Sequence, residues 1–199
     1  DVYKPQSDPD GLPAYFNDTL GDTLLLTVNA GGKAGVMSWT ETDGLRPLLR
    51  WYGSYEHFAV RFGTDGKDMV WIEGVGPQKS LYVAETMTLM TAPFSLDAKV
   101  VEATKKPLGP DPIQQGGGPF PTAVGCGHAA MLTSTKEGPG FYNGLLVVRL
   151  TDGAQWVLKA NVLPYPMNGV GVTCQHVYFR VPGGQLARFP LAALPASGS

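Results

Sequence analysis

No stretch of this 199-residue chain approaches the ~18 to 20 uninterrupted apolar residues that cross a bilayer as a helix, so no segment reads as a membrane span. Charge is scarce too. Only 16% of residues are charged, and 15 basic against 17 acidic residues leave a net charge of -2. That balance offers no electrostatic footprint for nucleic acid or an anionic membrane surface. A sustained helical stripe is also missing, so little helix is expected. So are the compact motifs of common enzymes: no Gly-x-Ser-x-Gly turn, phosphate loop or His-Glu-x-x-His helix occurs. The glycines at 116–118 sit among prolines, which reads as loop flexibility rather than a phosphate cradle.

What is abundant is turn-forming material. The chain holds 26 Gly and 17 Pro, together more than a fifth of it, while 43% hydrophobic residues are normal for a globular protein. This composition points to one all-β domain with many strands and many loops. With only two cysteines and little charge, it fits a secreted or periplasmic domain better than a cytoplasmic one. The start at Asp1, without an initiator methionine, reads as a mature, processed or excised product, so a missing leader does not argue for the cytoplasm.

The strands recur with one grammar: short alternating strands, a tight polar turn, then another strand. The clearest copy is FAVRFGTDGKDMVWIEG (58–74), followed by KSLYVAETM (79–87). Four-stranded units of roughly 40 to 50 residues are the mark of a β-propeller. The Asp-Gly pairs at Asp43-Gly44, Asp65-Gly66 and Asp152-Gly153 supply the reversals. A second superposition aligns Cys126-x-His128 with Cys174-x-His176 at one repeat's offset, each triplet followed by an apolar strand, HAAML or HVYF. The resulting division is an extended arm over 1–21 and blade units over 22–52, 56–104, 121–161 and 170–194. AKVVEAT (98–104) is expected to be the last strand of its unit. A Pro- and Gly-rich stretch, 105–121, reads as a long loop of the kind that carries function. The last unit is expected to lack its outermost strand.

The segment LLRWYGSYEHFAVRFGTDGKDMVWIEG (48–74) resembles the Tol-B-like propeller repeat, with its aromatic-ended strand, short polar link, and strand, Asp-Gly turn and strand. VTCQHVYFRVPGGQLARFPLAAL (172–194) is similar to a related bacterial propeller repeat. The resemblance implies architecture, with protein or small-ligand binding in many relatives and enzymatic activity in a minority. Relatives usually close with more blades than the four or so visible here, and a short ring would expose strand edges. Three arrangements satisfy those edges: the arm over 1–15 completes a small closed ring, two copies form one larger propeller, or the chain is a piece of a longer protein.

Few residues suggest chemistry. Cys126 and Cys174 read as an inter-blade disulfide, as two buried free thiols, or, with the two histidines, as a four-ligand metal site of unusual spacing. His57, His128 and His176 are the site candidates, with the bland alternative that His128 and His176 are repeat-equivalent groups satisfying backbone at a strand start. Glu56 beside His57, and Asp65 with Asp68, are the only compact acid and base clusters, and the aspartates are better explained as turn formers. Trp39, Trp51, Trp71, Trp156, Tyr178 and Phe179 are expected to pack between blades. No catalytic residue, metal or cofactor is assigned. The expected function is a non-enzymatic scaffold for protein or ligand binding, or for self-association, through loop surfaces. The alternatives are a lyase or hydrolase with a funnel site at the propeller axis, acting on a glycan or peptide, and a structural piece of a larger surface assembly.

Overall fold

The computed structural model describes residues 14–30, 33–49, 57–80, 83–110, 122–133, 144–159, 169–181 and 183–196, with backbone alone at 14–18, 28–30, 33–34, 57–58, 78–80, 83–84, 110 and 159. The chain is all-β and builds four antiparallel sheets in chain order, arranged as the blades of a propeller. Blade 1 holds β1 (Ala14–Leu20), β2 (Thr23–Ala30), β3 (Lys33–Thr40) and β4 (Gly44–Pro47). Blade 2 holds β5 (His57–Thr64), β6 (Asp68–Ser80), β7 (Val83–Pro93) and β8 (Lys106–Pro110). Blade 3 holds β9 (Ala123–Gly125), β10 (His128–Thr133), β11 (Gly144–Arg149) and β12 (Gln155–Lys159). Blade 4 holds β13 (Val170–Val172), β14 (His176–Arg180) and β15 (Leu186–Pro190), and it has three strands among the described residues.

Each sheet is an up-and-down meander, and several of its connections are short turns chemically suited to reversal. At the β5–β6 turn, Asp65 Oδ1 accepts from the backbone N–H groups of Lys67 and Asp68 at 3.0 and 2.8 Å. At the β9–β10 turn, Cys126 and Gly127 both have positive φ, 48° and 74°. A type I′ hairpin turn demands that of both central positions.

Three stretches depart from the sequence reading. Ala98–Thr104 is a helix, α1, rather than a strand: Asp97 caps it by accepting from Lys99 N–H at 2.8 Å, and Val101 buries the inward face. The capping aspartate outweighs the β preference of the paired valines. Within the stretch read as a loop, Lys106–Pro110 is the edge strand β8, paired with β7. Its two prolines lack N–H donors, which suits them to an edge and disguises the strand as a loop. Residues 111–121 lie outside the described residues. Within the stretch read as an arm, Ala14–Leu20 is β1, paired with β2 in blade 1, so its first two residues do not complete the last blade. Residues 1–13 lie outside the described residues.

The apolar cores lie between blades. Leu25, Val36, Leu48 and Leu49 of the first unit meet Ala59, Phe62, Met69, Trp71, Met90 and Ala92 of the second. The opposite face of blade 2, with Val60, Val70, Ile72 and Leu89, packs on Ala129, Met131, Leu146 and Val148 of blade 3. Blade 3 in turn offers Ala130, Leu132, Leu145 and Val147 to Val177 and Phe179 of blade 4. The first strands touch in succession, β1 with β5, β5 with β9 and β9 with β13. Four blades are thus joined by three cores, and among the described residues no apolar core joins blade 4 to blade 1.

Two glycines sit on this inner path. A side-chain carbon at Gly63 would come within 1.8 Å of Thr122 O, and one at Gly125 within 2.7 Å of Val172 O. Since backbone is what they meet, only glycine lets the first strands approach this closely.

Candidate functional site

The residues singled out in sequence fall at two levels of the blades. His128 and His176 open the second strands of blades 3 and 4, next to the hairpin turns that carry Cys126 and Cys174. Those turns are joined by a disulfide, with Cα atoms 5.0 Å apart. Both cysteines lie in exposed turns, so they are not buried thiols, and the disulfide takes up the sulfurs that a metal-binding arrangement would need. His128 Nδ1 lies 3.1 Å from Cys126 O. A carbonyl only accepts, so the proton resides on Nδ1, and the ring holds the strained turn from inside its own strand. His176 is held through its backbone: its N–H donates to Thr173 Oγ1 at 3.1 Å, and its carbonyl accepts from Thr173 N–H at 2.9 Å. The structure therefore joins the two Cys-x-His triplets through their cysteines, while among the described residues no three His, Cys, Asp or Glu side chains converge on a metal position. His57 opens the first strand of blade 2, paired with Val75, at the opposite strand end from that joint's hairpins. Its side chain lies outside the described residues.

The charged groups near the turns are engaged in holding them. Arg149 donates from Nε to Asp152 Oδ1 at 2.9 Å and from Nη2 to Oδ2, a two-point pair across the β11–β12 turn. Asp152 also accepts from Ala154 N–H at 3.1 Å. The Arg149 bonds, followed by the Ala154 bond, hold the Asp152 carboxyl down at about 2, and the same pairing raises Arg149 above its ordinary value. Arg149 also lies over the Trp156 ring, 5.4 Å from its centre, and Trp156 Nε1 donates to Pro195 O at 3.1 Å. Lys105 bridges Glu73 at 3.2 Å and Glu102 at 3.1 Å, fastening α1 to β6.

A buried joint that sequence reasoning missed connects blades 2 and 3. Arg61 sits at a register shift in β5 with φ of 56° and is 3% exposed. Its Nη1 donates to Leu132 O at 3.0 Å in blade 3. Thr122, also buried, donates its hydroxyl to Arg61 O and its N–H to Phe62 O. The bulge thus turns a charged side chain of the first strand inward to satisfy a carbonyl of the next blade. In sequence, Arg61 stands in the run FAVRFG, where an isolated arginine carries no such signal.

The face of blade 4 turned away from blade 3 carries a recess. Tyr178 and Arg180 alternate with the inward Val177 and Phe179, and Tyr178 pairs with both Gly171 and Arg188. Gly169, Gly171 and Gly184 form the floor and rim of a recess of about 290 Å³, with Tyr178, Arg180 and Leu186 around it. A side-chain carbon at Gly171 would meet nothing within 4 Å, so this glycine leaves open space rather than relieving a clash. Leu186 is 72% exposed there. The His176 ring flanks Tyr178 with 5.8 Å between ring centres. The expectation that Tyr178 packs between blades therefore applies to Phe179 and Trp71, which are buried in the cores, and not to Tyr178 within this chain. Trp51 lies outside the described residues. The signal was present in the strict alternation of HVYFR, which marks one covered and one uncovered face.

No protein-family model matches this chain, and no curated protein matches it. No helix among the described residues is long and apolar enough to cross a membrane.

Proposed function

We propose that this chain is a non-enzymatic propeller module that binds a protein or ligand, or assembles with other chains, through its surfaces. Its blades belong, on this reading, with Tol-B-like propeller repeats, and the stretch 111–121 contributes to the contact surface. A four-bladed propeller arrangement is compatible with such a role. The observation that carries the reading is where the acids and bases are spent. Asp65, Asp152 and Arg149 serve turns, Lys105 and Glu73 fasten α1 to β6, and His128 serves the turn it abuts. Groups tied to structure in this way hold a scaffold together, and the scaffold presents loops and faces. A disulfide between exposed turns favours a secreted or periplasmic setting, where the oxidised pair persists. The net charge of -2 disfavours nucleic acid as the partner.

The test compares two variants in affinity enrichment from an extracytoplasmic extract and in turnover assays on glycan and peptide panels. Shortening 111–121 should lose the retained partner, whereas joint replacement of His57, His128 and His176 by alanine should keep it. Turnover that vanishes in the triple-histidine variant would sink the reading in favour of an enzyme.

A further inference from the structure

Among the described residues, three apolar cores join the four blades in series, and blades 1 and 4 each have one face outside those cores. Blade 1 covers one face on blade 2 with Leu25 and Val36. Its other face is equally apolar. Leu24, Trp39 and Leu45 lie side by side there across three strands, with Leu26 and Met37 as the next row. A strand apolar on both faces, as TLLLTVNA is, has the pattern of strands buried on both sides. Yet these five side chains are only partly covered, and Leu45 is 52% exposed. At the other end, blade 4 presents the recess floored by glycines, with Tyr178, Arg180 and Leu186 around it.

We propose that a second copy of this chain fills both vacancies: blade 4 of each copy packs head to tail on blade 1 of the other, and two chains close one ring of eight blades. This rests on the assembly reading above and names its surface and its partner. Leu45 of one copy seats beside Leu186 in the other copy's recess, so that each exposed leucine is covered by the other copy. A copy of this chain fits because the junction continues the interior series: blade 4 meets a blade 1 as blade 1 meets blade 2. The two faces differ, so the contact is heterologous, and closure after two copies makes both junctions equivalent.

The experiment is light scattering behind a sizing column over a dilution series of the full chain, on wild type, Leu45→Asp and Leu186→Asp. Wild type should run at twice the monomer mass. Each substitution should weaken association by at least about tenfold and shift the species to monomer. Both leucines are exposed within one chain, so the variants should keep wild-type circular dichroism. Leu45→Ser and Leu186→Ser provide milder versions should either aspartate disturb folding. An equimolar mixture of Leu45→Asp and Leu186→Asp should recover part of the dimer, because one of its two junctions then joins two unaltered faces. A monomeric wild type, polymers that lengthen with concentration, or a dimer indifferent to all the substitutions would each overturn the proposal. A monomer that still retained a partner through 111–121 would overturn this proposal alone and leave the binding reading standing.

Discussion

Blades 2 and 3 differ from blades 1 and 4 in how many of their faces are covered. Met69, Val70, Trp71 and Ile72 follow one another along β6, and all are buried. The same holds for Ala129 to Thr133 on β10 and for Leu145 to Val148 on β11. Consecutive residues of a strand point to opposite faces, so consecutive burial means a neighbour on each side. In blade 4, burial alternates along β14, with Val177 and Phe179 inward and His176, Tyr178 and Arg180 outward. A propeller blade gains its stability from its neighbours, and among the described residues each end blade shares an apolar core with one neighbour rather than two. Blade 4 compensates with a covalent tie: the Cys126–Cys174 disulfide fastens its first hairpin to the equivalent hairpin of blade 3. Blade 1 has an apolar outer face instead.

The largest effect should come from an interior blade. Trp71→Ala removes a side chain that is 1% exposed in the core between blades 1 and 2, and it should cost about 3 to 5 kcal/mol in denaturant unfolding. A loss under about 1 kcal/mol would mean that the interior blades are not the stable part. Next is the tie of the end blade. Cys126→Ser with Cys174→Ser should cost about 2 to 4 kcal/mol, and wild type under reductant should approach the variant's midpoint. If blade 4 melts separately in the reduced protein, seen as a second transition, the contrast between end and interior becomes sharper still.

Thr122→Val keeps the shape at the joint of blades 2 and 3 while removing the hydroxyl that donates to Arg61 O. A loss of about 1 to 3 kcal/mol is expected there. Leu186→Ser, on the open face of blade 4, should stay within about 0.5 kcal/mol of wild type for the monomer. A larger loss measured under dimer-forming conditions, vanishing on dilution, would show that the face is covered by association.

The smallest effect concerns the exposed Arg149–Asp152 pair. Folding lowers the Asp152 carboxyl from its ordinary 3.8 to about 2. A depressed folded value stabilises the fold above the ordinary value, and that stability is lost as pH falls from there towards about 2. The thermal midpoint of wild type should therefore drop slightly more over this interval than that of Asp152→Asn. Parallel drops would mean that Arg149 holds the turn equally well without the charge.

Much of the architecture was legible because the turns advertise themselves. Asp65-Gly66, Asp152-Gly153 and the matched Cys-x-His triplets mark reversals and repeats whose chemistry is local. The three described strands of the last blade follow from counting such segments. Where local signals compete, reading by pattern failed. Asp97 caps a helix that the valines disguise, and the prolines of β8 hide an edge strand among loop-like residues. The Arg61–Thr122 joint was illegible for a different reason: its partners lie 61 and 71 residues away, and the bulge that turns Arg61 inward has no sequence mark.

By itself, then, the sequence determined an all-β chain of repeated meanders, because strand alternation and turn chemistry act over a few residues. It also contained the distinction between doubly covered strands, such as GLLVVR, and singly covered ones, such as HVYFR. Only the tertiary structure decided which faces meet, that Cys126 reaches Cys174, and that among the described residues three cores join the four blades. Those outcomes depend on how successive sheets lie against one another, and that arrangement is set by packing summed over the whole chain rather than by any one segment.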